Sequence, residues 1–281
     1  MIVNEKETEK QGRNKLPLWE KEWDEAETAW DARARAAAER HPLKTLNQLP
    51  HMAGITEETA KHLKWKSLKW MATRDHKGEV WKGFLQHPFK YGWELLKSSF
   101  KTKSFKREGD FFLYGLDSIE ALKKKLRTPD VRLVLGFSYC QKPFECPSGR
   151  FSPACIRDTE NPVCQQCFIG KCFHAAPQEK TLFLCIPTIH YIGGKIFELL
   201  ETTPADKIVF LITACELTLE MFGDWGNMAG VRGAGIRLDG RICNTMKAFE
   251  LSEAGIKPGL TLLLRSTERQ LLDLLKQTSM R

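Results

Sequence analysis

Nine cysteines are the residues of this sequence best suited to chemistry, and they are unevenly distributed. Six of them fall in one polar segment, at Cys140, Cys146, Cys155, Cys164, Cys167 and Cys172. The two-residue gap between Cys164 and Cys167 allows both sulfur atoms to reach one metal from a tight turn. The three cysteines before this pair lie on a stretch punctuated by proline and glycine, as expected of a loop. The spacing therefore predicts a thiolate-bound metal centre.

The behaviour of these thiols depends on the compartment. The sequence begins MIVNEKETEK, which contains acidic residues and no apolar run, so no secretory signal is expected. No uninterrupted apolar stretch is long enough for a membrane-spanning helix. Both observations predict a cytoplasmic protein. In such reducing surroundings, clustered thiols bind metal or take part in redox chemistry more often than they form disulfides.

The elements that must position the cysteines follow from the apolar pattern after residue 130. Runs of strand length are predicted over 131–137, 181–186, 207–212, 231–238 and 260–264. Helical patterns separate or follow them, at about 190–202, 214–223, 244–254 and 267–277. This alternation predicts an α/β fold, with a mainly parallel sheet, covering helices and a Cys-rich loop. The predicted organisation is a disordered tail over 1–16, a helical basic region over 17–124 and an α/β Cys-rich metal-binding domain over 125–281.

Three further observations place cysteines at the ends of predicted strands. Cys140 follows the first strand, Cys215 the third and Cys243 the fourth. Because the carboxyl ends of parallel strands meet at one edge of a sheet, we expect these thiols to face the same crevice. Cys185 differs, since it lies inside an apolar run and is predicted to be a core thiol.

Eight cysteines are thus candidate metal ligands: Cys140, Cys146, Cys155, Cys164, Cys167, Cys172, Cys215 and Cys243. Thiolate sites suit either an iron–sulfur cluster or zinc. Zinc ribbons usually contain two paired Cys-x2-Cys turns, whereas this sequence contains one such pair. The spacing therefore favours one or two iron–sulfur clusters, with zinc as the alternative.

The order of several short motifs resembles the uncharacterised bacterial and archaeal family catalogued as domain of unknown function 116. The resemblance covers about residues 131–265 and is carried by Cys140, ECP at 145–147, CQQCFIGKC at 164–172, IGG at 192–194, ACE at 214–216 and CNT at 243–245. The ACE and CNT motifs are its most specific parts. This chain departs from the family pattern in a longer gap before Cys172 and in an additional Cys155. The resemblance implies a cysteine site without naming a reaction.

Two weaker predictions concern residues beside the cysteines. Gly193, Gly194 and Lys195 follow the second strand, where they are interpreted as opening a helix whose N–H groups bind an anion, or as tight packing. Glu216 next to Cys215 is interpreted either as a proton donor or acceptor near the metal, or as a first-turn acid facing the helix dipole. The glycine-rich stretch 223–235 predicts a flexible loop, or a lid. No catalytic residue is identified.

The basic helical region carries most of the net charge of +8. Residues 61–107 contain 13 Lys or Arg against three acidic residues. After Pro88, apolar side chains recur at helical spacing, at Phe89, Trp93, Leu96 and Phe100. We interpret the region as a peripheral contact with an anionic membrane, or as helices whose aromatic side chains pack on the α/β domain. No nucleic-acid-binding signature is present, so nucleic acid is not an expected partner.

The sequence leads to three functional hypotheses. The first is an iron–sulfur protein with a redox or electron-transfer role and a redox partner protein. The second is a zinc-stabilised binding module whose basic helices contact a membrane or another anionic partner. The third is an enzyme that acts on an anionic small molecule beside the metal.

Overall fold

A six-stranded sheet forms the centre of the computed structural model, which describes residues 19, 22–44, 54–101 and 103–279. The strand order is β1-β2-β6-β5-β3-β4. The strands are β1 (Lys106–Glu108), β2 (Phe111–Tyr114), β3 (Arg132–Ser138), β4 (Thr181–Ile186), β5 (Ile208–Ala214) and β6 (Arg232–Arg237). A separate two-stranded sheet pairs β7 (Asp239–Gly240) with β8 (Thr261–Leu262).

Strands β3 to β6 are parallel to one another, which confirms the predicted α/β class with a mainly parallel sheet. Strands β1 and β2 add an antiparallel edge, with β2 paired to β6. The chain leaves β3 for β4 on one side and later returns to β5 on the other side of β3. The strand order therefore reverses between β3 and β5. In open α/β sheets, the crevice beyond the carboxyl ends of two such strands is where ligands bind.

Twelve helices cover the sheet in the described part of the chain. Five precede it: α1 (Trp23–Arg40), α2 (Glu57–Ala60), α3 (Leu63–Arg74), α4 (Glu79–Gln86) and α5 (Pro88–Ser99). The others are α6 (Ile119–Leu126), α7 (Pro162–Gln166), α8 (Phe168–Ala175), α9 (Ile189–Leu200), α10 (Glu216–Ala229), α11 (Met246–Glu253) and α12 (Arg265–Ser279). The region before the sheet is therefore helical, as predicted.

Both faces of the sheet are buried. Successive side chains of a strand point to opposite faces, so Leu133, Leu135 and Phe137 pack into the core that contains α1, α6, α8 and α12. Val134 faces the second core, which is built mainly from α9 and α10. A third apolar cluster joins α9 and α10 to α3, α4 and α5 above them. Burial on both faces explains the nearly continuous apolar strands.

The predicted domain boundary at residue 125 is wrong. Strands β1 and β2 lie before it and belong to the same sheet as β3 to β6. Helix α6 also lies largely before it, and its Leu122 is fully buried in the main core. The predicted tail over 1–16 lies outside the described residues.

Two other elements differ from the prediction. The predicted helix from Thr56 to Thr73 is interrupted, because His62 adopts the left-handed conformation between α2 and α3. The glycine-rich stretch 223–235 is not a loop, since α10 continues to Ala229 and β6 follows. A Cβ at Gly235 would lie 2.3 Å from the Leu219 side chain, so glycine here allows α10 to approach the sheet closely.

Candidate functional site

The cysteines at the strand ends lie together. Cys140 lies in a single 3-10 turn (139–141) directly after β3, Cys215 is the N-cap residue of α10 after β5, and Cys243 follows β7. All three line one pocket of about 60 Å³, called the thiol pocket below. It lies beyond the carboxyl ends of β3 and β5, at the position where the strand order reverses.

Polar contacts fix the three thiols of the thiol pocket. The ammonium group of Lys257 lies 3.0 Å from the sulfur of Cys243. Cys215 Sγ lies 3.1 Å from the Thr218 hydroxyl, and Cys140 Sγ lies 3.6 Å from the Ser252 hydroxyl. A hydrogen bond from Cys215, together with Lys257, holds the pKa of Cys243 below the ordinary value of a thiol. The pocket therefore stabilises one thiolate.

Four other cysteines line a second space, the four-cysteine cavity, which is about 20 Å³ in volume. They are Cys146, Cys155, Cys164 and Cys167. Helix α7 presents the pair: Asn161 caps the helix by accepting from the N–H groups of Val163 and Cys164, and Cys167 N–H bonds to Cys164 O at 3.2 Å. One turn of backbone thus directs both members of the Cys-x2-Cys motif toward one space.

The thiols of the four-cysteine cavity influence one another's ionisation. Burial raises the pKa of Cys164 to about 11 and that of Cys167 to about 12, and the nearby Cys155 contributes to both increases. Burial also raises the pKa of Cys146. The pKa of Cys155 is lowered, chiefly by a hydrogen bond from Cys185 and also by Arg157 and Lys142. A cation placed among these thiols would favour thiolates at all four positions.

Positive charge surrounds the four-cysteine cavity. Lys142 is only 1 % exposed. Its ammonium group donates to the carbonyl oxygens of Gly149, Ser152 and Ala154, at 3.1, 2.7 and 2.7 Å. These bonds shape the loop that carries Cys146 and Cys155. Burying an ammonium group is costly unless it is hydrogen-bonded and its charge is compensated.

Two arginines continue this basic surrounding. Arg150 donates to the carbonyl oxygens of Lys142, Cys140, Lys257 and Gly259 and so links the Cys-rich loop to the thiol pocket. The buried Arg157 guanidinium stacks on Phe173 and Phe183, at 4.2 and 4.8 Å from the ring centres. Within the described ranges, neither arginine nor Lys142 has a carboxylate within ion-pair distance.

Two cysteines lie in the hydrophobic core. Cys172, a predicted ligand, is completely buried in the main core and lines neither the thiol pocket nor the four-cysteine cavity. Cys185 is buried in the same core, where the sequence placed it. Its hydrogen bond to Cys155 was not expected. The eight predicted ligands therefore divide into a group of three, a group of four and Cys172 alone.

The donor set of the four-cysteine cavity is chemically suited to zinc or to an iron–sulfur cluster, since it consists of thiols alone. In the residues that the structure describes, no three His, Cys, Asp or Glu side chains are arranged to bind one metal ion. The thiols share a cavity without forming a closed single-ion site.

For both weaker predictions beside the cysteines, the structure agrees with the structural alternative rather than with the functional one. Gly193, Gly194 and Lys195 do not open a helix, because α9 begins at Ile189, and their N–H groups therefore bond within the helix. A Cβ at Gly193 would lie 2.7 Å from Val80, so helix packing accounts for this glycine. Glu216 is a first-turn acid of α10, and its carboxylate pairs with Arg107 at 2.7 Å and with Arg237 at 3.7 Å.

Sequence reasoning missed the basic and acidic residues around the thiols. Lys142, Arg150 and Arg157 lie inside the Cys-rich segment, which was the available signal. Lysine and arginine are rarely buried, so their burial is not visible in the sequence. Lys257 and Glu253 reach the thiol pocket from the far end of α11 and the loop after it. Their contribution depends on the tertiary fold.

Comparisons of the chain with family models, with curated proteins and with solved structures found no match. The resemblance to the domain of unknown function 116 family stays a prediction, and the candidate site is defined by its geometry.

Proposed function

We propose that this chain is an iron–sulfur protein with a redox or electron-transfer role, whose cluster is bound by Cys146, Cys155, Cys164 and Cys167. The observation that carries this proposal is the four-cysteine cavity itself, in which four thiols from a single loop and helix turn border one space. A bound cluster supplies reversible one-electron transfer.

Electrostatics supports a strongly anionic occupant. Four thiolates around a metal centre carry a net negative charge, and burying such a charge requires compensation. Lys142, Arg150 and Arg157 supply positive charge around the cavity without carboxylate partners among the described residues. Lys142 in particular is buried, although its contacts are only with carbonyl oxygens. An anionic thiolate centre explains why the fold retains these cations.

Partial exposure supports electron exchange with a redox partner protein. Cys146, Cys155 and Cys167 are half-buried rather than enclosed. Two large apolar side chains of the same segment are exposed, Phe151 at 44 % and Ile156 at 47 %. Exposed apolar residues beside a redox centre form a suitable docking surface for a partner.

The direct test is metal analysis of the protein purified without oxygen. We expect iron and acid-labile sulfide in equal amounts, with broad visible absorbance that bleaches on reduction. Stoichiometric zinc without iron would show the zinc-stabilised module instead. A protein that contains neither metal after anaerobic purification and after cluster reconstitution would overturn both alternatives.

A second candidate function, peripheral contact with an anionic membrane, is favoured by the surface of α3, α4 and α5. Some aromatic side chains of this region pack inward, such as Trp70 and Tyr91. Other large apolar side chains of the region are exposed: Trp65 at 70 %, Leu85 at 64 %, Phe89 at 93 %, Trp93 at 65 % and Phe100 at 82 %. Lysines lie between them along the helices. Aromatic side chains next to lysines suit insertion between anionic lipid headgroups.

None of the helices in the described ranges combines the length and apolarity needed to cross a bilayer. The proposed contact is therefore with the membrane surface, and its strength depends on lysine charge and on the exposed aromatic area.

We predict that the protein sediments with vesicles of phosphatidylserine and phosphatidylcholine at low salt, and that Phe89→Ser with Phe100→Ser weakens this binding at least tenfold. The reason is that each exposed ring loses its apolar burial in the headgroup region. Ile256→Ser is the control, because Ile256 is 57 % exposed outside α3 to α5. Equal sedimentation of the double variant and the parent protein, or no sedimentation at all, would show that this surface has another role.

A further inference from the structure

An apolar cavity of about 140 Å³ lies between the sheet and helices α9 and α10. Phe210 of β5, Ile192 of α9 and Phe222 of α10 contribute to its wall, and Met71 and Val80 reach it from α3 and α4. An engineered apolar cavity of about 150 Å³ in another protein stays dry and binds benzene. This cavity therefore has room for a ring or a short hydrocarbon chain.

The polar side chains in the wall of the apolar cavity have hydrogen-bond partners in the protein. The Trp225 indole N–H donates to Ser67 Oγ at 3.0 Å, and the Tyr114 hydroxyl donates to the carbonyl oxygen of Leu219 at 2.8 Å. The Thr218 hydroxyl contacts Cys215 Sγ. Since these polar atoms have partners, the cavity favours an apolar occupant over water.

The apolar cavity adjoins the thiol pocket. The two spaces share five wall residues, Ile189, Ile192, Ile212, Ala214 and Thr218. The thiol pocket adds a cation at this end, because Lys257 lines it. Among the described side chains, the ammonium group of Lys257 contacts only Cys243. Glu253 also lines the thiol pocket, and its carboxyl group accepts a hydrogen bond from the Ile189 N–H at 2.9 Å.

We propose that the two spaces form one binding site for a small amphiphile with a carboxylate end. Its ring or short hydrocarbon chain occupies the apolar cavity, and its carboxylate lies beside Lys257 at the sheet edge where the strand order reverses. Burial of the hydrocarbon supplies affinity, and the ammonium group supplies selectivity for the anion. This site is separate from the four-cysteine cavity and does not depend on a metal there.

Two helical glycines provide a matched pair of substitutions for testing the apolar cavity. Gly226 lines the cavity on α10, one turn after Phe222, and a Cβ added there meets nothing within 4 Å. Gly92 on α5 also has open space around an added Cβ, but it lies outside the cavity. Gly226→Leu and Gly92→Leu thus make the same change in a helix, and only the first adds a side chain at the wall of the apolar cavity.

The test is calorimetric titration of the purified protein with octanoate and, separately, with octanol. We expect saturable binding of octanoate that Gly226→Leu weakens at least tenfold and that Gly92→Leu leaves unchanged. Lys257→Met is expected to weaken octanoate binding at least tenfold while octanol binding stays the same. Absence of octanoate binding, or binding that Gly226→Leu does not affect, would overturn the site. Equal affinity of the parent protein for both ligands would overturn the assignment of the carboxylate to Lys257.

Discussion

Changing both Cys164 and Cys167 to serine is expected to remove the bound metal and its visible absorbance almost completely. Cys164 lies in α7 and Cys167 is the residue that ends this helix, and both line the four-cysteine cavity. A serine hydroxyl is a poor ligand for the metals that thiolates select. Two of four thiolates would be lost, which leaves too few ligands for a closed site. The measurement is iron, zinc and sulfide per chain after anaerobic purification.

Two single variants serve as matched controls for this loss. Cys172→Ala alters a thiol that is near in sequence but lies in the main core, and Cys140→Ala alters a thiol of the thiol pocket. Both variants are expected to keep the full metal content. Loss of metal from Cys172→Ala in a folded protein, together with its retention in the Cys164/Cys167 double variant, would show that the ligand assignment is wrong.

The second large effect concerns the pH dependence of stability. Burial of the Glu253 carboxyl group raises its pKa from 4.5 to about 8, in spite of the hydrogen bond from the Ile189 N–H, and the charge of Cys243 adds to the increase. In the unfolded chain this carboxyl ionises at its ordinary pKa. Between the two pKa values the folded protein therefore binds more protons than the unfolded chain, so Glu253 makes stability fall as pH rises from about 5 to about 8.

Glu253→Gln is expected to remove this loss, because the amide stays neutral and its oxygen can still accept the N–H of Ile189. The quantity of interest is the free energy of unfolding of the variant minus that of the parent protein. This difference should be roughly 3 kcal/mol larger at about pH 8 than at about pH 5. Urea unfolding at both pH values measures this difference. Glu250→Gln is the control, because Glu250 lies on the same helix α11 but outside the thiol pocket. The free energy of unfolding of this control variant, relative to the parent protein, should not change between the two pH values. A Glu253→Gln difference that does not change with pH would contradict the proposed buried carboxyl.

Local sequence patterns predicted most of the sheet. Strands β3, β4 and β5 are apolar runs, because the sheet is covered on both faces, and such runs are visible in the sequence. Strand β6, with the sequence Arg-Gly-Ala-Gly-Ile-Arg, is apolar only in part. Helices α9 and α10 follow from periodicity in the same way, whereas α7 and α8, between β3 and β4, lie in the segment that was predicted to be a Cys-rich loop. Strand β1, with the sequence Lys-Arg-Glu, has no such signal, since it lies at the sheet edge and pairs only with β2. Its place in the sheet is decided by pairing with distant residues.

The sequence also could not predict which apolar side chains of the N-terminal helices are exposed. The recurrence of Phe89, Trp93, Leu96 and Phe100 predicts an apolar stripe, which in an ordinary helix faces the core. In the structure these four side chains are exposed, and α5 packs on α10 through other residues such as Tyr91 and Ser98. Periodicity identifies an apolar face but does not decide whether protein or another surface covers it.

The sequence alone determined that thiols at the ends of parallel strands gather at one sheet edge, because strand polarity fixes where strand ends lie. Only the tertiary structure decided that they divide into the thiol pocket and the four-cysteine cavity, and that Cys172 belongs to neither. It also decided that Lys142 is buried and that Lys257 lies against Cys243. The physical reason is that strand and helix patterns report short-range periodicity. The grouping of thiols and the burial of charges depend instead on contacts between segments that are distant in the chain.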